Sequence, residues 1–558
     1  MGVGEASATA ADGDVIPRST WVAMGAMALA VLAIANDFTA MNVVLPTIEG
    51  DLDSSLSAVQ WVVNGYALVF GVLIVPGGRL ADVYGRSRML CIGAALFAAF
   101  SFLGGLAPNV GLLIAARVLM AVGGALMWPA ILGLIYGLLP ESKAGLAGGL
   151  VIGVAGIGNA TGPLIAGALA LASWRWIFFL NIPIALIALV VTWRTVPRDE
   201  ATEREPIDYA GSALLSLSLG ALLGALTVAP TQGWADPLVV GGLVAAVVLM
   251  VGFVLRERST GEDGLVPPSV IRNGPFLAAC LAALCMSATF FASLLYLPQL
   301  FQKIQGEGTM TAGVKLLPFV AVFALASFTE TWLLGKIGLK AVVSLGAVCV
   351  VAGPVLFVLL LDDQAAYLRL VPGMVVLGVG VGLFFSAATT AGLTAVDPSR
   401  SSLAGGLLYM FQIGGGAVGL GLTTVLFLAS ADAGVRDAAS DVGVELSDEE
   451  VRDLQGVLVG TESSAAVQAA HPEDARALTE VVRDAFVDGV RVAFTFDAVL
   501  ALVGVGLVLT RVGGPLSRLG RDVDRGDAAD PAHDRSGTDP PAGRHRTRRH
   551  RHAHRHVP

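Results

Sequence analysis

The 558-residue sequence is 55% hydrophobic and only 14% charged, and its mean hydropathy is +0.74. Soluble globular proteins carry about 25% charged residues, so this composition excludes that class and predicts a protein embedded in a membrane. The formal net charge of -9 decides little, because the sign of each loop matters more in a membrane protein than the total. Four cysteines lie in apolar runs without metal-ligand spacing, which predicts buried free thiols: Cys91, Cys280, Cys285 and Cys349.

Apolar runs long enough to cross a hydrocarbon core of about 30 Å recur along the chain and predict an all-α protein with about fourteen transmembrane helices. They begin near residues 21, 58, 89, 110, 145, 175, 208, 237, 276, 313, 340, 368, 404 and 490.

Basic residues follow every even-numbered run: Arg79, Arg86, Arg88, Lys143, Arg198, Arg204, Arg256, Arg258, Arg272, Lys336, Lys340, Arg400 and Arg511. The opposite loops contain few. Because basic loops stay on the cytoplasmic side, we expect both termini in the cytoplasm. The high content of Ala, Gly, Val and Arg suggests a bacterial source, so the predicted location is the bacterial plasma membrane.

A short charged stretch, residues 77–88, joins the second and third runs. Asp82 lies three residues after Arg79 and four before Arg86, a spacing that lets its carboxylate bridge charges and cap helix ends. A simple basic anchor would not require glycine and aspartate at these spacings. Residues 78–88 resemble the cytoplasmic signature loop between helices 2 and 3 of the major facilitator superfamily. The resemblance implies a loop that links moving helices during alternating access, formed by Gly78, Arg79, Asp82, Gly85, Arg86 and Arg88.

The fourteen runs are interpreted as two six-helix bundles with an extra helix pair between them. This arrangement resembles the fourteen-helix drug:proton antiporter family of that superfamily. Further stretches carry the same resemblance: residues 37–46, 61–68, 173–183 and 208–211. The predicted units are a cytoplasmic segment 1–20, a bundle 21–196, the inserted pair 208–255, a bundle 276–511 and a tail 512–558.

Asp37 and Arg117 are the two ionisable residues that stand out in the first bundle. A charge at the bilayer centre costs at least about 2.5 kcal/mol, so each needs an explanation. Asp37 lies nine residues before Pro46, about 13 Å from the outer helix end, and Arg117 lies about 12 Å from the start of its own helix. Helices 1 and 4 are neighbours in the superfamily fold, so these matching depths predict a charge pair in which Asp37 exchanges a proton for substrate. The alternative is a static ion pair that holds two helices together.

Two further stretches carry motifs. Residues 117–125 resemble the family's helix-4 motif linked to proton coupling, with Met120 and Ala121 where the family usually has Gln and Gly. Residues 158–167 resemble the helix-5 signature of antiporters, with Ala166 in place of a glycine. The resemblance implies export as opposed to import, and its residues include Gly158, Gly162, Pro163 and Gly167. As a bare small-residue pattern, the stretch would serve close helix packing alone.

Asp497 lies in the last helix, about 12 Å from the outer end of that helix, and is a second candidate for proton coupling. A structural polar contact between Asp497 and Arg491 is the alternative of equal weight. Glu330, six residues before Lys336, is interpreted as interfacial. Candidates for a substrate cavity are Asn42, Asn64, Asn159 and Gln412, while Asn36 and Asn181 are further amides able to bond substrate or neighbouring helices.

Residues 431–488 are polar and contain stretches with helical spacing, which predicts an extracellular helical loop. The tail ends in alternating Arg and His, a composition typical of a disordered segment that can also contact anionic lipid. The seven histidines lie in these two regions and form no predicted metal site, and we predict no cofactor. The sequence also lacks the Gly-x-x-x-x-Gly-Lys phosphate loop, so ATP is not the direct energy source.

These features predict a non-enzymatic, proton-coupled exporter of drugs or other small amphipathic compounds that works by alternating access. The expected partners are a small-molecule substrate, protons and membrane lipid, with no nucleic acid, and the protein is expected to be a monomer. Export of an endogenous metabolite or antibiotic and a transporter-derived membrane sensor are the alternatives. A membrane-embedded transferase would need a paired His/Asp or metal site near an interface, which the sequence does not show.

Overall fold

The computed structural model describes residues 16–54, 56–140, 143–196, 207–361, 366–442 and 475–512. This part of the chain contains fourteen helices that are long and apolar enough to cross a membrane, which confirms the predicted helix number and the all-α class. They are α1 (Arg18–Asp51), α2 (Leu56–Tyr84), α3 (Arg86–Gly105), α4 (Val110–Leu138), α5 (Ala144–Ala170), α6 (Arg175–Thr195), α7 (Tyr209–Gln232), α8 (Pro237–Thr260), α9 (Gly274–Lys303), α10 (Leu317–Ile337), α11 (Leu339–Leu360), α12 (Tyr367–Thr394), α13 (Ser401–Val442) and α14 (Ala475–Arg511).

Several helices begin at a side chain that accepts a hydrogen bond from the first helical turn. The first backbone N–H groups of a helix have no partner within the helix, so an Asn or Asp at this position stabilises the start. Asn109 accepts from the Leu112 N–H at 2.9 Å, and Asp208 accepts from the Gly211 N–H at 3.0 Å. Asp236 and Asn273 cap α8 and α9 in the same way.

The helices pack as two similar bundles. In the first, α1 packs along α5 and α6, α4 packs along α2 and α3, and α3 packs against α6. The second bundle repeats this packing with helices eight numbers later. There α9 lies along α13 and α14, α12 lies along α10 and α11, and α11 packs against α14. The inserted α7 and α8 pack against each other, and α7 also touches α2 and α13. The boundaries assigned above to these units stay a prediction.

Helix α1 is longer than the sequence indicated, because it continues through Pro46 to Asp51. A proline is tolerated in such a helix where neighbouring helices satisfy the freed backbone groups. The end of α1 is held by Asp51, which accepts hydrogen bonds from Arg175 Nη1 at 2.5 Å and Trp174 Nε1 at 3.0 Å. The hydrogen bond from Arg175, followed by that from Trp174, lowers the pKa of the Asp51 carboxyl below its usual value.

The predicted extracellular loop is partly an extension of membrane helices, since α13 continues to Val442 and α14 begins at Ala475. Residues 443–474, the N-terminal residues 1–15 and the tail from residue 513 lie outside the described part of the chain. The predictions for those segments therefore stay predictions.

Successive helices run in opposite directions, so their connections alternate between two faces of the molecule. We name the face with the α2–α3 connection the Asp82 face and the face with the α3–α4 connection the Asn109 face. The two bundles meet through α2 with α13 and α5 with α10 and α12. A Cβ atom at Gly78 would lie 2.5 Å from the Ser402 carbonyl oxygen, and Tyr136 Oη lies 3.1 Å from Thr390 Oγ1. The bundles are therefore closed at the Asp82 face.

Candidate functional site

The structure brings Asp37 and Arg117 together inside the first bundle. Both side chains are fully buried, and Arg117 Nη1 donates a short hydrogen bond to Asp37 Oδ2 within an ion pair. Asn181 of α6 donates from Nδ2 to Asp37 Oδ1 at 2.9 Å. Each carboxylate oxygen thus has a donor from a different helix. Asn181 was one of six amides in the sequence analysis, and nothing in its local sequence distinguished it.

Arg117 is also held by α2. Its Nε donates to the Val62 carbonyl oxygen at 3.1 Å, and its guanidinium carbon lies 4.1 Å from the centroid of the Tyr66 ring. Met120, which stands where the family usually has Gln, places its sulfur 3.9 Å from Arg117 Nη1. Among the described residues Nη2 has no acceptor. The arginine therefore keeps one unused donor beside the Asp37 carboxylate.

Asp497 is fully buried in α14, and among the described residues no cation pairs with it. Thr423 Oγ1 donates to Asp497 Oδ1 at 2.8 Å, while Oδ2 has no partner within the described ranges. The alternative contact with Arg491 is wrong, because Arg491 instead bonds Asp488 Oδ1 and the Leu361 carbonyl oxygen, both at 2.8 Å. The second bundle therefore contains a buried acid whose protonation would leave no arginine unpaired.

Asp82 caps a helix of the opposite bundle. Its carboxylate accepts the N–H groups of Ser402 at 3.2 Å and Leu403 at 2.7 Å, in the first turn of α13. Arg86 Nε donates to Asp82 Oδ1 at 2.9 Å, and Arg86 Nη2 donates to the Pro398 carbonyl oxygen at 2.6 Å. A carboxylate at a helix N-terminus is favoured by the unsatisfied N–H groups and the helix dipole. This group of contacts, the Asp82 cap, joins the two bundles.

The predicted loop around Asp82 is wrong in its conformation. Gly78, Arg79 and Asp82 belong to α2, and Arg86 and Arg88 begin α3. Only Gly85 is non-helical, with φ of 102°. A glycine adopts this left-handed conformation without strain, so one residue suffices to reverse the chain while both helices keep their hydrogen bonds. Arg79 is buried and Arg88 is exposed.

The glycines of the predicted antiporter motif lie against α1. A Cβ atom would lie 3.0 Å from the Asn36 nitrogen at Gly158 and 2.8 Å from the Asn36 carbonyl oxygen at Gly162. Thr39 Oγ1 donates to the Asn159 carbonyl oxygen at 3.1 Å, so α1 and α5 are also joined by a hydrogen bond. Pro163 and Gly167 lie within α5, which continues past both. Close packing thus holds the helix that carries Asp37.

The remaining cavity candidates are spread over several helices. Asn64 in α2, Asn159 in α5 and Gln412 in α13 are half-buried, and the side chain of Asn42 in α1 lies outside the described residues. The described residues contain no group of three or more His, Cys, Asp or Glu placed to hold a metal ion.

Glu330 is buried between helices, a position that its local sequence did not predict. It has no exposed surface, so its side chain does not contact headgroups or water as an interfacial residue would, while its depth along the membrane stays a prediction. The physical reason is that α5 covers it through Gly145, where a Cβ atom would lie 3.2 Å from Glu330 Oε2. The distance of Glu330 from Lys336 along α10 does not indicate which neighbouring helix covers the Glu330 side chain.

The sequence model of a protein family, the Major Facilitator Superfamily, matches residues 27–420 of this chain. The chain belongs to this superfamily. Among its relatives is the tetracenomycin C resistance and export protein of Streptomyces glaucescens, 30% identical over 519 residues that cover 89% of this chain and 93% of the relative. The probable actinorhodin transporter of Streptomyces coelicolor is 34% identical over 443 residues, 76% of each chain. The lincomycin resistance protein of Streptomyces lincolnensis is 35% identical, with 74% and 85% covered.

Solved structures of the Major Facilitator Superfamily share the fold. The human organic anion transporter MFSD10 gives a TM-score of 0.56 at 12% identity over 88% of this chain and 100% of that chain. The proton:xylose symporter XylE gives 0.55 at 13% identity over 88% and 95%. Identities this low show the fold alone. The family match and the resistance and export proteins confirm the resemblance to the major facilitator drug exporters and identify a family of transporters.

Proposed function

We propose that this superfamily member is a proton-coupled exporter of drugs or other small amphipathic compounds, and that Asp37 is its proton-coupling carboxylate. The observation that carries the proposal is the fully buried Asp37, held by Arg117 and Asn181 from two other helices. Ionisable groups in membrane helices are rare and mark ion and proton pathways. The alternative is that the Asp37–Arg117 ion pair only holds two helices together. Transport measurements distinguish this structural role from proton coupling.

The proposed coupling follows from the hydrogen bonds of Arg117. When Asp37 is ionised, its charge is balanced by Arg117. When Asp37 takes up a proton, Arg117 loses that balance, and its remaining contacts are the Val62 carbonyl oxygen and the Tyr66 ring. A buried charge that loses its partner is strongly destabilised. Protonation therefore favours a rearrangement of α1 against α4, and the same rearrangement exposes the substrate site to the other side of the membrane.

We propose that the Asp82 face is cytoplasmic. The connections at this face carry basic residues, which stay on the cytoplasmic side of bacterial membranes: Arg88, Lys143, Arg258, Arg272 and Lys336. The Asp82 cap then keeps the cytoplasmic side closed, and its release opens the substrate path to the cytoplasm. In this assignment the structure is the state that is closed to the cytoplasm, and the protein works as a monomer.

The names of the relatives support antibiotics as a substrate class. The relatives above are described as proteins for resistance, export or transport, in species of Streptomyces. Both a drug and an antibiotic made by the cell itself fit that description, so we propose export of antibiotic-like compounds in either setting.

An efflux panel in a pump-deficient bacterial host tests this function. Cells that express the protein should accumulate less of at least one fluorescent drug or antibiotic than cells with an empty vector. A proton uncoupler should restore accumulation to the empty-vector level. Efflux that continues after the proton gradient has collapsed would contradict proton coupling.

A further inference from the structure

Glu330 is a buried acid that has no role in the mechanism above. It lies in α10 with no exposed surface, and neither of its carboxyl oxygens has a hydrogen-bond partner among the described residues. The other buried acids differ in this respect. The partners are Arg117 for Asp37, Arg86 for Asp82, Arg256 for Asp208 and Thr423 for Asp497. Buried polar groups without partners are rare in native proteins and call for a specific explanation.

The surroundings of Glu330 lie in the contact between the two bundles near the Asp82 face. We call the contact of α5 with α10 and α12 the α5 seam. Gly145 of α5 lies over the carboxyl group, Ser386 of α12 lies beside it, and Tyr136 of α4 is the titratable group that faces it. The Tyr136 hydroxyl is engaged with Thr390 Oγ1 at 3.1 Å.

Within the described part of the chain, no cation pairs with this acid in the closed α5 seam. Lys143 precedes α5 and Lys340 lies at the start of α11, but neither donates a hydrogen bond to the carboxyl oxygens of Glu330. On α10 itself, the Lys336 amine lies 3.7 Å from the centroid of the Trp332 ring. The groups that face Glu330 are therefore backbone, hydroxyl and phenol.

A carboxylate in this position would be strongly unfavourable, because burial removes its hydration and no charge replaces it. A neutral carboxylic acid has a much smaller penalty and also carries a donor. If α5 separated from α10, water would reach the carboxyl group and the ionised form would be stable. The closed seam thus favours the protonated acid, and the open seam favours the carboxylate.

We propose that Glu330 is a proton-binding site that links closure of the Asp82 face to the pH of the solution on that side. The group binds one proton when α5 closes over α10 and releases it to the same solution when the two helices separate. No proton crosses the membrane in this step, so its role differs from that of Asp37. Because the closed state holds one more proton than the open state, lower pH at this face favours closure. A linkage of one proton changes the ratio of open to closed molecules by at most about tenfold per pH unit.

Spin-label distances across the Asp82 face test this proposal. Labels that replace Tyr84 on α2 and Ile337 on α10 are suitable, since both side chains are exposed, by 39% and 44%, and lie in different bundles. The four native cysteines are first replaced by alanine. In lipid nanodiscs without a gradient, the ratio of open to closed molecules is measured from pH 5 to 9 in the labelled wild type and in the labelled variants. In Glu330→Gln, which mimics the neutral acid, the ratio of open to closed molecules should lose the rise with pH that Glu330 contributes, a difference from wild type of up to about tenfold per pH unit.

Glu49→Gln is the matched control, because it removes a carboxyl group from α1 on the Asn109 side and should leave the pH dependence intact. Protons bound by Asp37 and Asp497 contribute equally to wild type and variant, so the difference between the two reports Glu330. Glu330→Ala, which needs no new hydrogen bonds to fit, should show the same difference from wild type and serves as the test if the Gln variant does not fold. A pH dependence of the distances that is the same in wild type and in both Glu330 variants would overturn the proposal.

Discussion

Asp37 is held by two donors, and only one of them carries a charge. Asp37→Asn keeps the size of the side chain and removes the titratable group, so efflux against a concentration gradient should be abolished while expression is retained. The measurement is drug efflux from preloaded cells, with surface expression determined in parallel. Asp51→Asn is the matched control, since that carboxyl lies at the end of α1 beside Arg175 and should leave efflux within about twofold of wild type.

The Asp37 variant leaves Arg117 buried without its counter-charge, which by itself destabilises a protein by about 3–5 kcal/mol. The double variant Asp37→Asn/Arg117→Met removes both charges and separates the two effects. It should fold as well as wild type and still fail to pump. Normal efflux in the double variant would show that the pair is a static contact.

Asp497 should contribute less than Asp37. In Asp497→Asn the amide oxygen can still accept from Thr423, and no buried arginine loses a partner. We therefore expect a partial loss of efflux, or a loss for some substrates only, in the same assay of preloaded cells. A loss as complete as that of Asp37→Asn, together with full activity of Asp37→Asn, would move the coupling site to α14.

At the scale of single residues, the sequence predicted which buried charged residues pair better than it predicted their other contacts. The pairing of Asp37 with Arg117 was predicted correctly from their spacing to Pro46 and Asn109, although α1 continues past Pro46 to Asp51 and its end was misplaced. The hydrogen bond from Arg117 to the Val62 carbonyl oxygen could not be predicted from the sequence. Every residue of α2 has a carbonyl group, and the rotation of the helix determines which one Arg117 reaches. The burial of Glu330 depends on Gly145 of another helix, which the distance to the helix end does not encode.

At the scale of elements, the Asp82 cap joins α2 to the first turn of α13. Asp82→Asn retains one acceptor but loses the charge, and a charge in a partly buried cap of this kind contributes up to about 2 kcal/mol. We expect slower transport and nearly unchanged affinity of the purified protein for its substrate, because the cap does not touch the cavity candidates. Turnover and equilibrium binding of the same fluorescent substrate check this expectation.

Asp397→Asn provides the control for that variant. Asp397 lies at the same face and accepts from the Ser399 N–H at 2.8 Å, within a single connection and without bridging the bundles. The Asp397→Asn variant should transport substrate at nearly the wild-type rate. A large loss of substrate affinity in Asp82→Asn with normal turnover would argue against a conformational role.

The elements themselves were largely predictable, because apolar runs of sufficient length allow little but helices in a membrane. The exceptions occur where charged residues continue a helix. The charged stretch around Asp82 was predicted as a loop because its composition is polar, whereas the structure needs only Gly85 to reverse the chain. Similarly, α1 passes Pro46 because Asp51 is anchored to Arg175 and Trp174, a contact that is distant in sequence.

At the scale of the whole molecule, the fourteen helices require residues on either side of α14 to lie on opposite sides of the membrane. Reporter fusions near Ser463 and after Arg521 test the orientation. We expect the Ser463 fusion to be active only with a reporter for the extracellular side, and the Arg521 fusion only with a cytoplasmic reporter. The reverse pattern would contradict the assignment of the Asp82 face to the cytoplasm, and two fusions on one side would contradict the helix count between them.

The repeated packing of the two bundles also belongs to this scale. Equal helix numbers in the two halves were inferred from the runs and their charges, while the contacts that close one face depend on glycines such as Gly78 and Gly149. Glycines are frequent along the whole chain, so the sequence alone did not single out those that allow the bundles to touch.

The central claim is that an inward flow of protons drives the export of substrate. The most direct measurement uses purified protein in liposomes with an imposed pH gradient and follows substrate and internal pH together. Wild type should accumulate substrate against its gradient and carry protons in the opposite direction, and Asp37→Asn should do neither. Uphill transport by wild type without proton movement, or unchanged coupling in Asp37→Asn, would contradict this account.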